Sequence, residues 1–249
     1  MKYIVLLTVL LTSGSVASEI DETIAKAKSG NMIAQFNLAV IYDIGDGVPE
    51  NDTEAAKWYR KAADQGDVDA QRNLGLMYDH GYGVAENDKE AIKWYRKAAD
   101  QGDVQAQHNL GSMHKSGEGV PVSDAEAIKW YRKAAEQGYT TAQYNLARMY
   151  HHGEGVAEND KEAIKWYRKA ADQGLVKAQF NLGLVYYNGT NSPENRLRAY
   201  IWWSTAKILG VDRATKGLDI LESSMTKNQI VNAQVSARKC YESGYKDCD

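Results

Sequence analysis

The sequence predicts an all-α protein, a solenoid built from about five copies of a helix pair. Alanines recur at a constant spacing of 36 residues, and the sequence around them recurs with them. Within each copy, apolar residues spaced for one face of a helix alternate with glycine-containing turns. A single helix pair cannot bury its apolar face, so at least about three copies must stack to form a core. The recurring alanines are Ala34, Ala70, Ala106, Ala142 and Ala178.

The first helix of each copy is clearest in the fourth copy, where it runs over about 142–152. Leu146, Met149 and Tyr150 follow Ala142 at spacings of four, seven and eight residues, which places all of them on one helical face. The Gly153-Glu154-Gly155 turn then ends the helix, because glycine adopts the left-handed backbone of a helix end without a steric penalty.

The second helix runs over about 160–173 in the same copy and opens with a capping signal. Asn159 supplies the N-cap, and Glu162 follows three residues later. The apolar face of this helix carries a Trp-Tyr pair, which we expect to be buried because large aromatics at helical spacing are most often core residues. The pairs are Trp58-Tyr59, Trp94-Tyr95, Trp130-Tyr131 and Trp166-Tyr167, with Trp202-Trp203 in the fifth copy.

The repeated pattern A-x-x-x-L-G/A-x-x-Y-x-x-G-x-G-V, followed by A-x-K-W-Y-R-K-A-A-x-x-G, resembles the Sel1-like repeat, a relative of the tetratricopeptide repeat. The resemblance covers about Ala34 to Gly210 and implies a right-handed α-solenoid that serves as a scaffold for protein contacts. In the second copy the pattern is carried by Ala70, Leu74, Gly75, Tyr78, Gly81, Gly83, Val84, Ala91, Lys93, Trp94, Tyr95, Lys97, Ala98, Ala99 and Gly102.

The N-terminal stretch 1–17 has the three parts of a secretory signal peptide. Lys2 supplies the positive charge, 3–11 is apolar, and 15–17 offers small residues for cleavage. The apolar run is shorter than the roughly 20 residues of a membrane span, so we expect an exported protein that begins near Ser18 and has no integral membrane span.

The remaining chain is expected to form one elongated domain. We place an N-terminal capping helix in 18–33, built on the amphipathic stretch 19–30, and C-terminal capping helices with a disulfide tail in 211–249. Gly189-Thr190-Asn191 replaces the usual G-x-G turn of the fifth copy, with asparagine accepted in the left-handed region. The five repeats are 34–69, 70–105, 106–141, 142–177 and 178–210.

The two cysteines, Cys240 and Cys248, lie within the last ten residues. In an exported chain a disulfide between them is the favoured reading, and an intermolecular bridge or a free thiol pair are the alternatives. The bond would hold a tail that would otherwise fray.

Comparison of the copies identifies a variable stripe on the first helices, at spacings of i, i+3, i+7 and i+10, which lie on one helical face. In repeats of this kind the first helices line the concave side. The stripe mixes aromatic residues, arginine and histidine, as binding anchors do, so it is either a binding face or a solvated surface that has drifted. The candidate binding residues are Phe36, Arg72, His108, Tyr144, Arg148, His151, Phe180 and Tyr187, with Tyr144, Arg148, Phe180 and Tyr187 as the main anchors.

Several function classes find no support in the sequence. The formal net charge of −3 lacks the basic character of a nucleic-acid binder. The five histidines show no ligand spacing for a metal, and no nucleophile motif or phosphate loop is present. We therefore expect no catalytic residues, no metal site and no cofactor.

These observations lead to an exported, non-enzymatic scaffold that mediates protein–protein interaction through the concave side of its repeats. The resemblance implies partners in the bacterial cell envelope, with a periplasmic location favoured over full secretion, or host proteins. The alternative is recognition of a non-protein envelope ligand, such as a peptidoglycan fragment or polysaccharide, by the same stripe.

Overall fold

The structure, a computed structural model, describes residues 13–189 and 192–248, with side chains from residue 18 onward. These residues form thirteen α-helices and no strands, and α2 to α11 form five consecutive helix pairs. The helices are α1 Ser13–Lys28, α2 Met32–Ile44, α3 Asp52–Asp64, α4 Val68–His80, α5 Asp88–Asp100, α6 Val104–Ser116, α7 Asp124–Glu136, α8 Thr140–His152, α9 Asp160–Asp172, α10 Val176–Asn188, α11 Pro193–Ile208, α12 Asp212–Ser223 and α13 Lys227–Glu242. The all-α fold class and the five helix pairs are confirmed.

Most of the predicted signal peptide lies outside the described residues, which begin at Ser13. The helix expected over 19–30 is present, but it begins earlier, at Ser13, and ends at Lys28. Its last turn contacts α2 through the buried Ala27, whose carbonyl accepts a hydrogen bond of 3.1 Å from Gln35.

Capping residues fix the helix boundaries as the sequence indicates. Asn159 accepts a hydrogen bond of 3.1 Å from the backbone N–H of Glu162 at the start of α9, and Gly153 ends α8 with φ 66°. The first helix of the fourth copy begins at Thr140, two residues before its expected start. The preceding turn is complete at Gly138, which has φ 92°, and Tyr139 takes the N-cap position without a side-chain capping bond.

The second glycine of each G-x-G turn has two structural reasons. Gly83 has φ 63°, which disfavours a side chain, and a Cβ there would overlap the backbone carbonyl of Asp52 in the preceding repeat. Gly155 repeats this arrangement against Asp124, where a Cβ would lie 2.5 Å from the aspartate Cβ. The turn is therefore a packing contact between successive repeats as well as a helix end.

The contacts divide the described chain into two compact units. Unit 1 comprises the residues up to Leu110 together with 118–120, and unit 2 comprises 111–117 and the residues from Pro121 onward.

The aromatic pairs of the second helices are buried in both units, as predicted. In unit 1, Trp94 is 1% exposed, and the ammonium group of Lys97 lies 4.0 Å from the centre of its indole ring. In unit 2, Lys133 covers Trp130 in the same way at 4.1 Å. In the four Trp-Tyr pairs, the lysine three residues after the tryptophan therefore covers the indole ring.

Helices α12 and α13 close the C-terminal end of unit 2, and both contact α11. Ala214, Leu218 and Leu221 form the buried face of α12. A capping box opens α13, because Thr226 and Gln229 exchange hydrogen bonds of 2.8 and 3.3 Å.

Cys240 and Cys248 form a disulfide, with a Cα–Cα distance of 4.5 Å. Both residues are buried against the apolar core of unit 2, so the bond attaches the last residues of the described chain to α13. The predicted intramolecular pairing is thus present, and it indicates an oxidising compartment.

The fifth helix pair departs from the others at its turn. Gly189 has φ −67°, so it does not take the left-handed conformation of its counterparts, and Asn191 lies outside the described residues. Pro193 is the first residue of α11, where proline is tolerated because that N–H needs no helical partner, and Ser192 caps the helix by accepting a bond of 3.1 Å from Asn195.

Candidate functional site

The candidate residues lie on one face of the first helices, at four positions of each. All but Tyr187, which is 40% exposed, are half-buried, so they lie at the edge of the core rather than on an open surface. We call the positions in each unit its first-helix face. The unit 1 face comprises Ile33, Phe36, Val40, Asp43, Asp69, Arg72, Leu76, Asp79, Gln105 and His108. The unit 2 face comprises Ser112, Lys115, Thr141, Tyr144, Arg148, His151, Lys177, Phe180, Leu184 and Tyr187.

A buried glutamine beneath this face connects each repeat to the preceding one. Gln143 donates a hydrogen bond of 3.1 Å to the carbonyl of Ala135 and accepts one of 2.8 Å from Gln173. Gln71 repeats both bonds in unit 1, with the carbonyl of Ala63 and with Gln101. Because these amides are buried and bonded, they set the register between repeats.

A constant asparagine supplies a second polar connection. Asn181 in α10 donates to the hydroxyl groups of Tyr144 and Tyr167, at 3.3 and 3.4 Å. In unit 1, Asn109 makes the same kind of bond to Tyr95 of the preceding repeat. Each link therefore joins a first helix to the buried tyrosine of the repeat before it.

The C-terminal cap replaces this link by an apolar contact. Trp203 stands at the tyrosine position of the fifth pair, and Gly217 stands at the asparagine position of α12. A Cβ at Gly217 would lie 2.6 Å from the indole ring of Trp203, so the larger ring requires the loss of the asparagine side chain.

The aromatic candidates of the stripe pack on the second helix of their own repeat. The ring centres of Phe36 and Tyr59 are 5.8 Å apart, those of Tyr144 and Tyr167 are 5.8 Å apart, and Phe180 stacks on a tryptophan. Phe180 stacks on Trp203, with ring centres 6.4 Å apart. The ring centre of Tyr187, the exposed member, lies 5.3 Å from that of the same tryptophan. Their packing explains much of their burial, and one edge of each ring remains at the surface.

The unit 1 face carries carboxylates that bond to the buried tyrosines. Asp43 accepts from the hydroxyl of Tyr59 at 3.3 Å, and Asp79 accepts from Tyr95 at 3.1 Å. Burial raises the pKa of both tyrosines, and the neighbouring carboxylates raise it further. Burial is also the main cause of the raised pKa of Asp79.

Arg72, the cation of the unit 1 face, is fully engaged. Its guanidinium lies 2.7 Å from Asp103 and 2.7 Å from Asp69. Burial opposes its charge, but the two ion pairs outweigh burial and raise the pKa of Arg72. His108 lies on the same face, where burial lowers the pKa of its imidazole despite a contact of 3.4 Å with the Asn109 amide oxygen.

Two basic side chains at the end of the unit 2 face, Lys115 and His151, bind carboxylates at helix starts. Lys115 lies 2.9 Å from Asp124 and 3.0 Å from Glu154, and these bonds raise the pKa of its ammonium group against the effect of burial. His151 lies 2.7 Å from Asp160, the first residue of α9. Both residues therefore hold turns together, a structural role that their position in the stripe does not reveal.

Arg148 differs from the other cations of the first-helix faces. Its side chain is half-buried on the unit 2 face, and within the described residues no hydrogen bond or ion pair reaches its guanidinium. It lies close to two buried phenols, because its positive charge acts to lower the pKa of Tyr131 and Tyr167, which burial raises. The arrangement leaves the donors of Arg148 available to an acceptor from outside the chain.

A family model for the Sel1 repeat matches five segments of the chain, at residues 33–67, 68–103, 104–139, 140–175 and 176–211. The chain belongs to the Sel1 repeat family. Each matched segment contains one first helix and one second helix, so the Sel1 repeats coincide with the five helix pairs.

Two solved structures of Sel1 repeat proteins resemble this chain over most of its length. A protective antigen present in uropathogenic Escherichia coli strains and displaying an SLR fold is 35% identical, with a TM-score of 0.75. That match covers 94% of this chain and 51% of the antigen, so this chain spans about half the antigen's length. A Sel1 repeat protein from Oxalobacter formigenes is 34% identical, with a TM-score of 0.70, over 81% of this chain and 86% of that one.

Three searches for further functional signals found none. No curated protein matches the chain. Within the described residues, no group of three or more His, Cys, Asp or Glu side chains is placed to hold a metal ion, and no helix has the length and apolar character needed to cross a membrane.

The sequence did not reveal which members of the Sel1 repeat perform the polar linking. Gln143 and Asn181 are constant between the copies, and that constancy was the available signal. It indicates a role in stacking but not the bonds involved, because a buried amide and a buried alanine are equally invariant when every copy must fit the next.

Proposed function

We propose that this Sel1 repeat protein is an exported scaffold that binds a protein partner through the first-helix face of unit 2. One observation carries the proposal. The constant glutamines and asparagines hold the repeats together from beneath, so the side chains above them are free to differ between copies. Scaffold function is the property common to proteins built from such repeats.

The composition of the unit 2 face suits a binding role. Tyr144, Phe180 and Tyr187 present aromatic edges, and Arg148 lies between them along the stripe. Aromatic residues and arginine are the residues most often found as energetic anchors in protein interfaces. Because their rings already pack on second helices, they lose little conformational entropy on binding.

Export is supported by the predicted signal peptide in 1–17 and by the disulfide. A bond between Cys240 and Cys248 persists in an oxidising compartment, such as the bacterial periplasm or the extracellular space. We place the protein in the cell envelope, with partners there or on a host cell. N-terminal sequencing of the purified protein is expected to find Ser18 or a neighbouring residue first, and retention of Met1 would refute export by cleavage.

In-cell crosslinking of the tagged protein, followed by mass spectrometry, tests the scaffold role. A variant with Thr141→Glu, Lys177→Glu and Tyr187→Ala alters the exposed positions of the face and leaves the half-buried rings of Tyr144 and Phe180 intact. A control variant with Lys161→Glu and Lys165→Ala changes the net charge by the same amount at exposed positions on a second helix.

We expect the parent and the second-helix variant to trap the same protein and the face variant to lose it. Equal capture by all three would move the binding site away from this face. Capture of no protein by any of them would favour a non-protein envelope ligand, such as a peptidoglycan fragment or polysaccharide.

A further inference from the structure

The first helices of unit 2 have an unusual charge composition. Neither α8 nor α10 contains an aspartate or glutamate, although together they carry Arg148, Lys177, His151 and His152. In unit 1, by contrast, α2 and α4 carry Asp43, Asp69 and Asp79. The net charge of the whole chain conceals this difference between the two faces.

The cap places a further cation beside the unit 2 face. Arg213, in the first turn of α12, places its guanidinium 5.7 Å from the ring centre of Phe180. Lys177 and Arg213 are both exposed, and within the described residues neither forms an ion pair. The unit 2 face and the adjoining cap therefore carry one half-buried arginine and two exposed cations, and one of these cations, Arg213, lies beside the ring of Phe180.

Asp212 precedes Arg213 in α12 and is exposed, whereas three other carboxylates of unit 2 already bind side chains of the first helices. Asp124 and Glu154 bind Lys115, and Asp160 binds His151. Arg148 is half-buried, and within the described residues its guanidinium has no acceptor. A carboxylate from outside the chain would supply that acceptor, with the two-pronged geometry that arginine favours.

We propose that the unit 2 face binds an acidic segment of a partner polypeptide, with Arg148 receiving a carboxylate side chain. This inference rests on the proposed scaffold function and names the chemistry of its partner. Lys177 and Arg213 bind further carboxylates along the segment, and the edges of Phe180 and Tyr187 pack against its aliphatic carbons. The hydroxyl of Tyr144, held by Asn181, stands one helical turn from Arg148 as an additional polar contact.

Fluorescence anisotropy with three labelled probes of equal length tests the inference on the full mature protein. The first is a decapeptide of alternating glutamate and serine, the second has glutamine in place of glutamate, and the third is an oligogalacturonate of matched charge. The variants are Arg148→Gln, Arg148→Lys and Lys177→Gln. Lys161→Gln serves as a control, because it removes one charge from the exposed surface of α9.

We expect the glutamate peptide to bind at least about tenfold more tightly than the glutamine peptide, as the loss of charge-assisted hydrogen bonds implies. Arg148→Gln should weaken binding of the glutamate peptide about tenfold. Arg148→Lys should weaken it by less, because lysine keeps the positive charge but lacks the two parallel N–H donors of the guanidinium. Lys177→Gln should weaken binding by a smaller factor, and Lys161→Gln should leave it unchanged. Affinity should fall as salt is added.

Three outcomes would overturn the inference. They are equal affinity for the glutamate and glutamine peptides, equal weakening by Arg148→Gln and Lys161→Gln, and binding of the oligogalacturonate as tightly as the peptide. The crosslinking experiment separates this failure from failure of the scaffold function. A partner trapped through the face together with no preference for the acidic peptide would refute the acidic segment alone, and acidic-peptide binding with no trapped protein would refute the scaffold.

Discussion

Replacing Gln143 by alanine is expected to lower the free energy of unfolding by about 2 to 3 kcal/mol. The side chain is 3% exposed and joins two repeats of unit 2. Its amide nitrogen donates to Ala135 at 3.1 Å, and its amide oxygen accepts from Gln173 at 2.8 Å.

The magnitude follows from the contacts that are lost. Two neutral hydrogen bonds contribute about 1 kcal/mol each, and the removed methylene contributes about 0.8 kcal/mol. Alanine returns a few tenths of a kcal/mol through its higher helix propensity. The cost stays below that of an orphaned buried group, because Ala135 also accepts from Gly138 at 3.0 Å and Gln173 also donates to the Gly138 carbonyl at 3.2 Å.

Urea unfolding followed by circular dichroism at 222 nm measures the effect. Gln173→Ala is the matched control, because it removes the shared 2.8 Å bond at an exposed position and should cost about 1 kcal/mol or less. The double variant should cost less than the sum of the two single variants, since both remove that bond. If Gln143→Ala costs no more than Gln173→Ala, the glutamine does not set the register between repeats.

Further predictions concern the tail, the turns and pH. Reducing the Cys240–Cys248 bond, whose sequence separation is 8, should destabilise the tail by about 2.5 kcal/mol. Amide hydrogen exchange in the last helix should then be faster under reductant, and unchanged exchange would contradict this prediction. Gly83→Ala should lower the free energy of unfolding by well over the roughly 1 kcal/mol expected for Gly102→Ala. Both glycines have a positive φ, but only at Gly83 would the added Cβ overlap a backbone carbonyl. Equal unfolding midpoints for the two variants would contradict this. Burial lowers the pKa of His108 in the folded state, so its contribution to stability is present above the unfolded pKa of about 6.5 and is lost as pH falls through the folded value. His108→Gln should therefore lose less stability than the parent between pH 7.5 and 5, and parallel losses in urea titrations would argue against it.

The helix pairs were predictable because local signals agree with one another in every copy. Asn159 and Glu162 mark the start of one helix, and Gly153 marks the end of another within one residue of where the sequence places it. The starts of the first helices were less certain, since their N-caps vary. Asp67 caps α4 by accepting a bond of 2.7 Å from the backbone N–H of Ala70, whereas the side chain of Tyr139 makes no capping bond at the start of α8.

The variable stripe was predictable in position but not in character. Comparison of the copies identifies residues that stacking does not fix, yet Phe36 and Tyr144 also pack on the buried tyrosine of their own repeat. Such a residue can vary because its partner lies within the same repeat, so variation does not by itself indicate a binding role. Lys115 and His151 show the same ambiguity, since both bind carboxylates at helix starts.

The feature that distinguishes Arg148 required three-dimensional information. The sequence shows that α8 lacks carboxylates, whereas Arg72 in α4 has Asp69 three positions before it and also pairs with Asp103 from 31 positions away. Only the structure shows the pair with Asp103 and that no such long-range partner reaches Arg148 within the described residues. Long-range pairing of this kind depends on how repeats stack, which residue spacing alone does not give.

Site-specific photo-crosslinking in cells tests the central claim most directly. A photoreactive phenylalanine analogue is placed at Thr141 on the first helix of the fourth repeat, or at Lys161 on the second helix of the same repeat, both of which are exposed. If the unit 2 face is the binding surface, a protein adduct forms from position 141 and is absent from position 161. An adduct from position 161 alone would contradict the account, because it would place the partner on the second helices.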